Sequence, residues 1–290
     1  MRRNFLLLFV LAMAAMFPVL SRAQEGPLDP AEPKGISVDE IIHRFAAKEK
    51  EFKQARENYT YRQTVKVQTV DCGQGDGEYQ EVTDINFDTK GKRLEQVVFA
   101  PQNSLQCISM SREDFDDIRH RLPFVLTSDE IPEYQIMYVG QQQEDELHCY
   151  VFDVAPKQMQ KDKRYFQGRI WVDDHDFQIV KTHGKNVPDI HPNKRGQENL
   201  FPAFTTWREQ IDSQDGTGRK FWFPTYTKVD DTLHFSTGDV HVREIVKYTN
   251  YKRFGSNIKI TYEGQELPKG QGEQGGQQPP PQQQKQPPPK

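Results

Sequence analysis

The sequence has few cysteines, no long apolar run and no catalytic motif of a familiar kind. Three of its 290 residues are cysteine, which excludes a disulfide-dense scaffold. No stretch reaches the roughly 18 consecutive apolar residues of a membrane-spanning helix. The patterns G-x-S-x-G, H-E-x-x-H, C-x-x-C and the phosphate-binding P-loop are all absent. We therefore expect a protein that is not an enzyme, with no catalytic residue, no bound metal and no cofactor.

An excess of basic residues is also missing. The chain has 38 Lys and Arg against 42 Asp and Glu, a formal net charge of −4. Such a balance disfavours nucleic acid and anionic lipid headgroups as nonspecific partners.

The first 23 residues have the features of a secretory signal peptide. Arg2 and Arg3 precede an apolar run over 5–17, and a small-x-small pattern ends at Ala23. General secretion fits this pattern better than twin-arginine export. Because no cysteine lies at the cleavage site, we expect an exported periplasmic protein without a lipid anchor. Cleavage removes three arginines and no acid, and the net charge becomes −7.

The remaining chain divides by composition into a linker over 24–36, a domain over 37–262 and a tail over 263–290. From Gly264 onward the tail contains 9 Gln, 7 Pro and 5 Gly. It has too little apolar surface to fold, so we predict a disordered segment. Its two proline triplets could form a spacer or a peptide ligand for an envelope partner.

Two helices are predicted within the domain. Ser37 and Glu40 form a capping box, and apolar residues at helical spacing follow as far as about Ala55. A shorter helix follows a Ser111 cap, with Phe115 and Ile118 on its apolar side.

Most of the rest shows the period-two alternation of strands. Helical crossovers between the strands are missing, which indicates one large antiparallel sheet and a mainly β (α+β) fold. The predicted strands lie near 59–70, 78–88, 93–100, 134–140, 146–154, 167–173, 177–183, 203–211, 220–233 and 238–252.

The cluster Asp173-Asp174-His175-Asp176 has two interpretations. It could belong to a metal-dependent hydrolase together with His183 and His191, or it could be a turn between two strands. Alternating residues on both sides and the absence of a metal-ligand spacing favour the turn.

The three cysteines allow one disulfide in an oxidising compartment. Cys72 and Cys107 lie near predicted strand ends, whereas Cys149 lies inside an apolar strand. We predict a Cys72–Cys107 bond and a buried Cys149.

A family resemblance is carried by "YVGQQQEDELHCYVFDVAPK", "RYFQGRIWVDDHDFQIVKT" and "FWFPTYTKVDD". This strand series resembles periplasmic lipoprotein-carrier and outer-membrane lipoprotein-sorting proteins of the LolA/LolB-like superfamily. It extends over about 37–254 and is sharpest over 138–233. The segment 184–201 and the tail are additions to the pattern.

The resemblance implies a curved, incomplete antiparallel barrel with helices on its concave side. Between sheet and helices it implies an apolar cavity for acyl chains, and hence a lipid or lipidated protein as partner. Alternation alone does not distinguish inward from outward side chains, and the same aromatics could form a filled core. The candidates to line the cavity are Phe45, Phe87, Phe99, Phe115, Ile118, Tyr150, Phe152, Trp171, Phe223, Tyr226 and Phe235. The alternative to a carrier is an envelope interaction module that acts through its surface and the proline-rich tail.

Overall fold

The structure is a computed structural model that describes residues 25–71, 76–88, 92–119, 125–160, 163–188, 202–235 and 237–254. The predicted signal peptide, the proline-rich tail, Cys72 and His191 lie outside these ranges. No helix in the described ranges is long and apolar enough to cross a membrane.

Helix α1 (Val38–Arg56) begins and ends as the sequence predicts. The Ser37 hydroxyl accepts a hydrogen bond from the backbone N–H of Glu40, which satisfies one unpaired donor of the first turn. Arg56 and Lys53 lie in the last turn, where their charge suits the helix dipole. The buried face of α1 consists of Ile41, Phe45, Ala46, Glu49 and Phe52.

In the described part of the chain, ten strands form one antiparallel sheet that does not close. The order across the sheet is β3-β2-β1-β10-β9-β8-β7-β6-β5-β4, so all but one of the neighbouring pairs are consecutive in sequence. This confirms the predicted mainly β fold with an open, barrel-like sheet. The strands are β1 (Tyr59–Val70), β2 (Gly77–Phe87), β3 (Arg93–Phe99), β4 (Tyr134–Glu144), β5 (Leu147–Pro156), β6 (Tyr165–Asp173), β7 (Ile179–Val187), β8 (Phe204–Asp212), β9 (Lys220–Phe235) and β10 (Gly238–Arg253).

Helix α2 (Arg112–Arg119) covers the part of the sheet that contains β1, β2 and β10. Its start is fixed by a reciprocal cap, because the Ser111 hydroxyl accepts from the Asp114 N–H and the Asp114 carboxylate accepts from the Ser111 N–H. Phe115 and Ile118 pack on this region of the sheet. A short 3-10 helix (Ile131–Glu133) leads into β4.

The main core lies between α1 and the sheet face that α1 covers, which we call the α1 face. Ile41 and Phe45 of the helix pack there against Phe152, Ile170 and further apolar residues of the strands. These side chains are fully buried. Helix α2 packs on Val65 and Val246, which are paired with each other. Following the strand pairing from these two residues across the sheet leads to the core under α1, so both helices cover the same face.

The N-terminal segment 25–31 runs along the outer edge of β4. Asp29 and Gln141 exchange two backbone hydrogen bonds, and the Gly26 N–H donates to the Gln143 carbonyl. Leu28 packs against Cys149, Val151 and their neighbours on the sheet face opposite α1. The segment therefore covers backbone groups that would otherwise be unpaired at this edge.

Candidate functional site

Most of the predicted cavity residues belong to the packed layer under the helices. Phe45 and Phe152 are fully buried with ring centroids 5.6 Å apart, and Tyr150 and Phe235 pack in the same cluster. The remaining members of this layer are Phe115 and Ile118 near α2 and Phe223 against Phe52 and Tyr59. Phe87 is half-buried at the end of β2 and belongs to none of the apolar clusters.

Three predicted residues lie elsewhere. Trp171 and Tyr226 lie on the face opposite α1, in the same cross-strand row as Lys181 and Trp207. Phe99 is about half exposed, on the edge strand β3. The structure therefore does not bring the eleven predicted residues together in one place.

A groove of about 900 Å³ lies on the face opposite α1. It crosses the five neighbouring strands β4–β8, and the N-terminal segment contributes Glu25 to its rim. The other lining residues are Gln135, Met137, Asp153, Val154, Ala155, Gln167, Gly168, Arg169, Trp171, Lys181, His183, Gly184, Thr205 and Trp207. Its volume falls within the roughly 300–1,000 Å³ that is typical of small-molecule sites.

Strand register arranges the groove in two rows across the sheet. One row is Met137, Asp153, Arg169, His183 and Thr205, each paired with the next on the neighbouring strand. The second row contains Trp171, Lys181 and Trp207, and the strand pairing continues it to Val151 and Tyr226, which are not among the lining residues.

Aromatic side chains in the second row surround a buried cation. The Lys181 ammonium lies 4.6 Å from the centroid of the Trp171 ring and 5.8 Å from that of Trp207. It donates hydrogen bonds of 2.8 and 2.9 Å to the two oxygens of Glu144 and of 3.1 Å to Glu25. The lysine charge is therefore balanced within the protein.

The charges of the first row are balanced in the same way. Arg169 makes a two-point ion pair with Asp153, with distances of 2.7 and 3.0 Å. His183 Nδ1 lies 2.9 Å from the Thr205 hydroxyl. Because each arginine or lysine of the groove already has a carboxylate partner, the groove combines apolar surface with neutralised polar groups.

Two glycines allow β6 and β7 to approach closely beside these rows. Gly168 and Gly184 are paired in register. A Cβ atom on Gly168 would lie 2.2 Å from the His183 carbonyl oxygen, and one on Gly184 would lie 2.3 Å from that of Gln167. No other residue fits these positions without a shift of the backbone.

The residues Met137, Lys181 and Trp207 were missed as site residues by the sequence prediction. Strand alternation shows which residues of β8 and β7 share a face with Trp207 and Lys181. Which of the two sheet faces that is depends on the register with the neighbouring strands. Met137 is one of the exposed large apolar residues, and exposure is not visible in sequence.

The cluster 173–176 forms the turn between β6 and β7, as predicted. The Asp173 carboxylate accepts from the Asp176 N–H at 3.0 Å, and the Asp176 carboxylate accepts from the Gln178 N–H and the Trp222 indole. Within the described ranges, no group of three His, Cys, Asp or Glu residues could hold a metal ion.

Replacing Asp173 with asparagine should stabilise the protein at neutral pH. Burial, followed by the nearby acids, raises the pKa of Asp173 to about 6, so ionisation is less favourable in the folded state than in the unfolded chain. Asparagine keeps an oxygen that can accept from Asp176 and removes the charge. Since protonation relieves the same cost, the advantage over the wild type should shrink as the pH falls from about 6 to about 4. Thermal unfolding of both proteins from pH 4 to pH 8 measures this, and an advantage that grows on acidification would contradict it.

The cysteines are partly accounted for. Cys107 is disulfide-bonded, and Cys149 is free and buried. Cys72, the partner that we predict for Cys107, lies outside the described residues. Burial raises the pKa of the Cys149 thiol, so this group is an inert core residue rather than a nucleophile.

Comparison by sequence finds no matching family model and no matching curated protein. Comparison of structures finds similar solved proteins. A DUF1329 family protein from Desulfovibrio piger has a TM-score of 0.38 and 15% identity, over 73% of this chain and 92% of that one. A domain from Vibrio parahaemolyticus, classed with outer membrane lipoprotein-sorting proteins, has a TM-score of 0.38 and 14% identity, over 73% and 93%.

A LolA superfamily protein from Nitrosomonas europaea is also similar, with a TM-score of 0.30 and 16% identity, over 72% of this chain and 95% of that one. The last two proteins carry the names of the superfamily that the sequence resembles.

Proposed function

We propose that this protein is an exported periplasmic carrier that binds a lipid, or the acyl chain of a lipidated protein, in the groove opposite α1. The groove itself is the observation that carries the proposal. About 900 Å³ of open space is bordered by Met137, Trp171 and Trp207, and the charged groups of the groove are already paired. Such a site offers contact area to an apolar chain, and both of its cations, Arg169 and Lys181, are already paired with carboxylates.

The layer between α1 and the sheet is a less suitable site for an acyl chain. Its large side chains, such as Phe45, Phe152 and Ile170, are fully buried and in contact. A chain could enter only if these side chains moved apart, which would expose or displace apolar surface. We therefore place the ligand on the other face of the same strands.

Binding in this groove requires no covalent chemistry. Each buried CH₂ group of an acyl chain contributes about 0.8 kcal/mol to the binding free energy. A chain that is only partly covered therefore gains enough free energy to bind, and it can still dissociate. Polar side chains of the lining, among them Gln135, Gln167 and His183, can hydrogen-bond a head group. The function that we propose is therefore capture and release.

Replacing Met137 with aspartate should weaken binding of a fluorescent fatty acid by at least about tenfold, which corresponds to about 1.4 kcal/mol. Met137 is 57% exposed and lines the groove, so the charge enters the binding surface without disturbing a core. Met159, which is 52% exposed and is not among the lining residues, provides the matched control. Titration of the mature chain without detergent measures both affinities. Equal affinities for Met137→Asp, Met159→Asp and the wild type would exclude the groove as the site.

A further inference from the structure

The Lys181 ammonium in the groove has two carboxylate partners. Both oxygens of Glu144 accept from it, at 2.8 and 2.9 Å, and one oxygen of Glu25 accepts at 3.1 Å. An ammonium has three hydrogens to donate, so these bonds use its full capacity. One cation is thus shared by two anions, and the cluster has one carboxylate more than it needs for neutrality.

The two carboxylates are held differently. Glu144 belongs to β4 and its side chain is 11% exposed, whereas the side chain of Glu25 is 51% exposed. The backbone of the N-terminal segment is bonded to β4 at Gly26 and Asp29. The Glu25 side chain can therefore turn into solvent while the segment stays on the sheet.

The surroundings of Lys181 suit a head group that carries an apolar chain. Its side chain is 7% exposed, and its ammonium lies 4.6 Å from the centroid of the Trp171 ring and 5.8 Å from that of Trp207. A charge that is partly buried in this way is screened less by solvent than one on an open surface. The same few ångströms thus contain a charged donor and two aromatic surfaces.

We propose, on the basis of the carrier function proposed above, that the groove binds a long-chain carboxylate whose head group replaces Glu25 on Lys181. The ligand brings the same acceptor and the same charge as the group that leaves, so the charge of the cluster is unchanged. Its chain lies against Trp171, Trp207 and Met137, which line the same groove. Glu25 is then an internal competitor that lowers the affinity for carboxylates and leaves the affinity for neutral chains unaffected.

The other cation of the groove is a less suitable anchor. Arg169 makes two charged hydrogen bonds to the two oxygens of Asp153. A ligand would have to break both bonds of this two-point pair, whereas only one bond holds Glu25 to Lys181. Lys181 is therefore the residue that selects the head group.

Calorimetric titration of the mature chain with dodecanoate and with dodecanol, at pH 8, tests the exchange. The measured quantity is the preference, which is the affinity for dodecanoate divided by that for dodecanol. We expect Glu25→Gln to raise the preference at least about threefold over the wild type, the scale of a half-exposed ion pair, with dodecanol affinity unchanged. Glu32→Gln removes the same charge from an exposed residue that does not line the groove, and it should leave the preference unchanged. Equal preferences in the wild type and Glu25→Gln overturn the proposal.

The double variant Lys181→Met, Glu144→Gln tests the anchor itself. It removes a cation together with its less exposed carboxylate partner, so neither charge is left alone in the protein interior. We expect its preference to fall below that of the wild type, with dodecanol binding as the sign that it is folded. A double variant that binds dodecanol and keeps the wild-type preference overturns the role of Lys181.

Failure of the exchange differs from failure of the carrier function. A wild type that binds neither compound contradicts the carrier and the exchange together. If both compounds bind, and Met137→Asp weakens both, the groove is the ligand site. A preference that Glu25→Gln does not change then contradicts the exchange alone.

Discussion

Replacing Glu49 with alanine lowers the free energy of unfolding by about 3–5 kcal/mol. Glu49 and Arg208 form an ion pair in which both side chains are at most 1% exposed, with an Nη1–Oε1 distance of 3.0 Å. Removal of the carboxylate takes the counter-charge of Glu49 away from the buried guanidinium of Arg208, and a buried charge is far more costly than a charge in water. Urea denaturation of the wild type and the variant measures the difference.

Burial is the main influence on this pair. It raises the pKa of Glu49 despite the nearby Arg208, which acts in the opposite direction. The double variant Glu49→Leu, Arg208→Met should therefore recover most of the lost stability, since it removes both charges. Glu51→Ala is the matched control on the same helix, because Glu51 is exposed and pairs with Lys48 at the surface. A loss for Glu49→Ala no larger than that for Glu51→Ala would contradict the account of the buried pair.

Replacing Phe152 with alanine should lower the free energy of unfolding by about 3–5 kcal/mol and leave the affinity of the groove unchanged. Phe152 is fully buried, and its ring centroid lies 5.6 Å from that of Phe45 and 5.5 Å from that of Tyr138. Truncation leaves a cavity on the α1 face, whereas the groove is on the opposite face of β5. Denaturation and fatty-acid titration of the same preparation measure the two effects.

The comparison between Phe152→Ala and Met137→Asp distinguishes the two faces of the sheet as ligand sites. If the ligand lies in the groove, Met137→Asp loses affinity and, because Asp153 is paired opposite it, no more than about 1 kcal/mol of stability. Phe152→Ala instead loses much more stability and keeps its affinity. A folded Phe152→Ala protein with altered affinity, beside a Met137→Asp protein that binds normally, would place the ligand between the sheet and α1.

Elements with a clear period could be predicted from sequence. Helix α1 was predictable because a capping box stands directly before residues at helical spacing. The antiparallel sheet followed from alternation and from the absence of crossover helices. The turn at 173–176 followed from the strong turn preference of aspartate between two alternating runs.

The face on which each strand residue lies could not be predicted in the same way. In β5, the four residues from Cys149 to Phe152 are all buried, because both faces of this strand are covered. Register shifts occur between Tyr138 and Gly140 and between Trp171 and Val172. At each shift one strand has an extra residue, so the residues beyond it lie on the face opposite to the one that simple alternation predicts. Trp171 and Phe152 were assigned to one cavity, although β5 and β6 pair Phe152 with Ile170 and Val151 with Trp171 and so place the two rings on opposite faces.

Long-range polar pairs were also beyond the sequence prediction. Lys181 and Glu144 are 37 residues apart, and Glu49 and Arg208 are 159 apart. A partial signal existed for Glu49, which follows Phe45 by four residues and so belongs to the apolar stripe of α1. The identity of its partner depends on the sheet register, which the local sequence does not contain.

Mass spectrometry of organic extracts tests the proposed carrier most directly. The chain from residue 24 would be purified from a periplasmic fraction without detergent, as the wild type and as the variants Met137→Asp and Met159→Asp. We expect a lipid or acyl chain in stoichiometric amount with the wild type and with Met159→Asp, and its loss from Met137→Asp. A wild-type protein that is free of lipid and also fails to bind a fluorescent fatty acid would contradict the account.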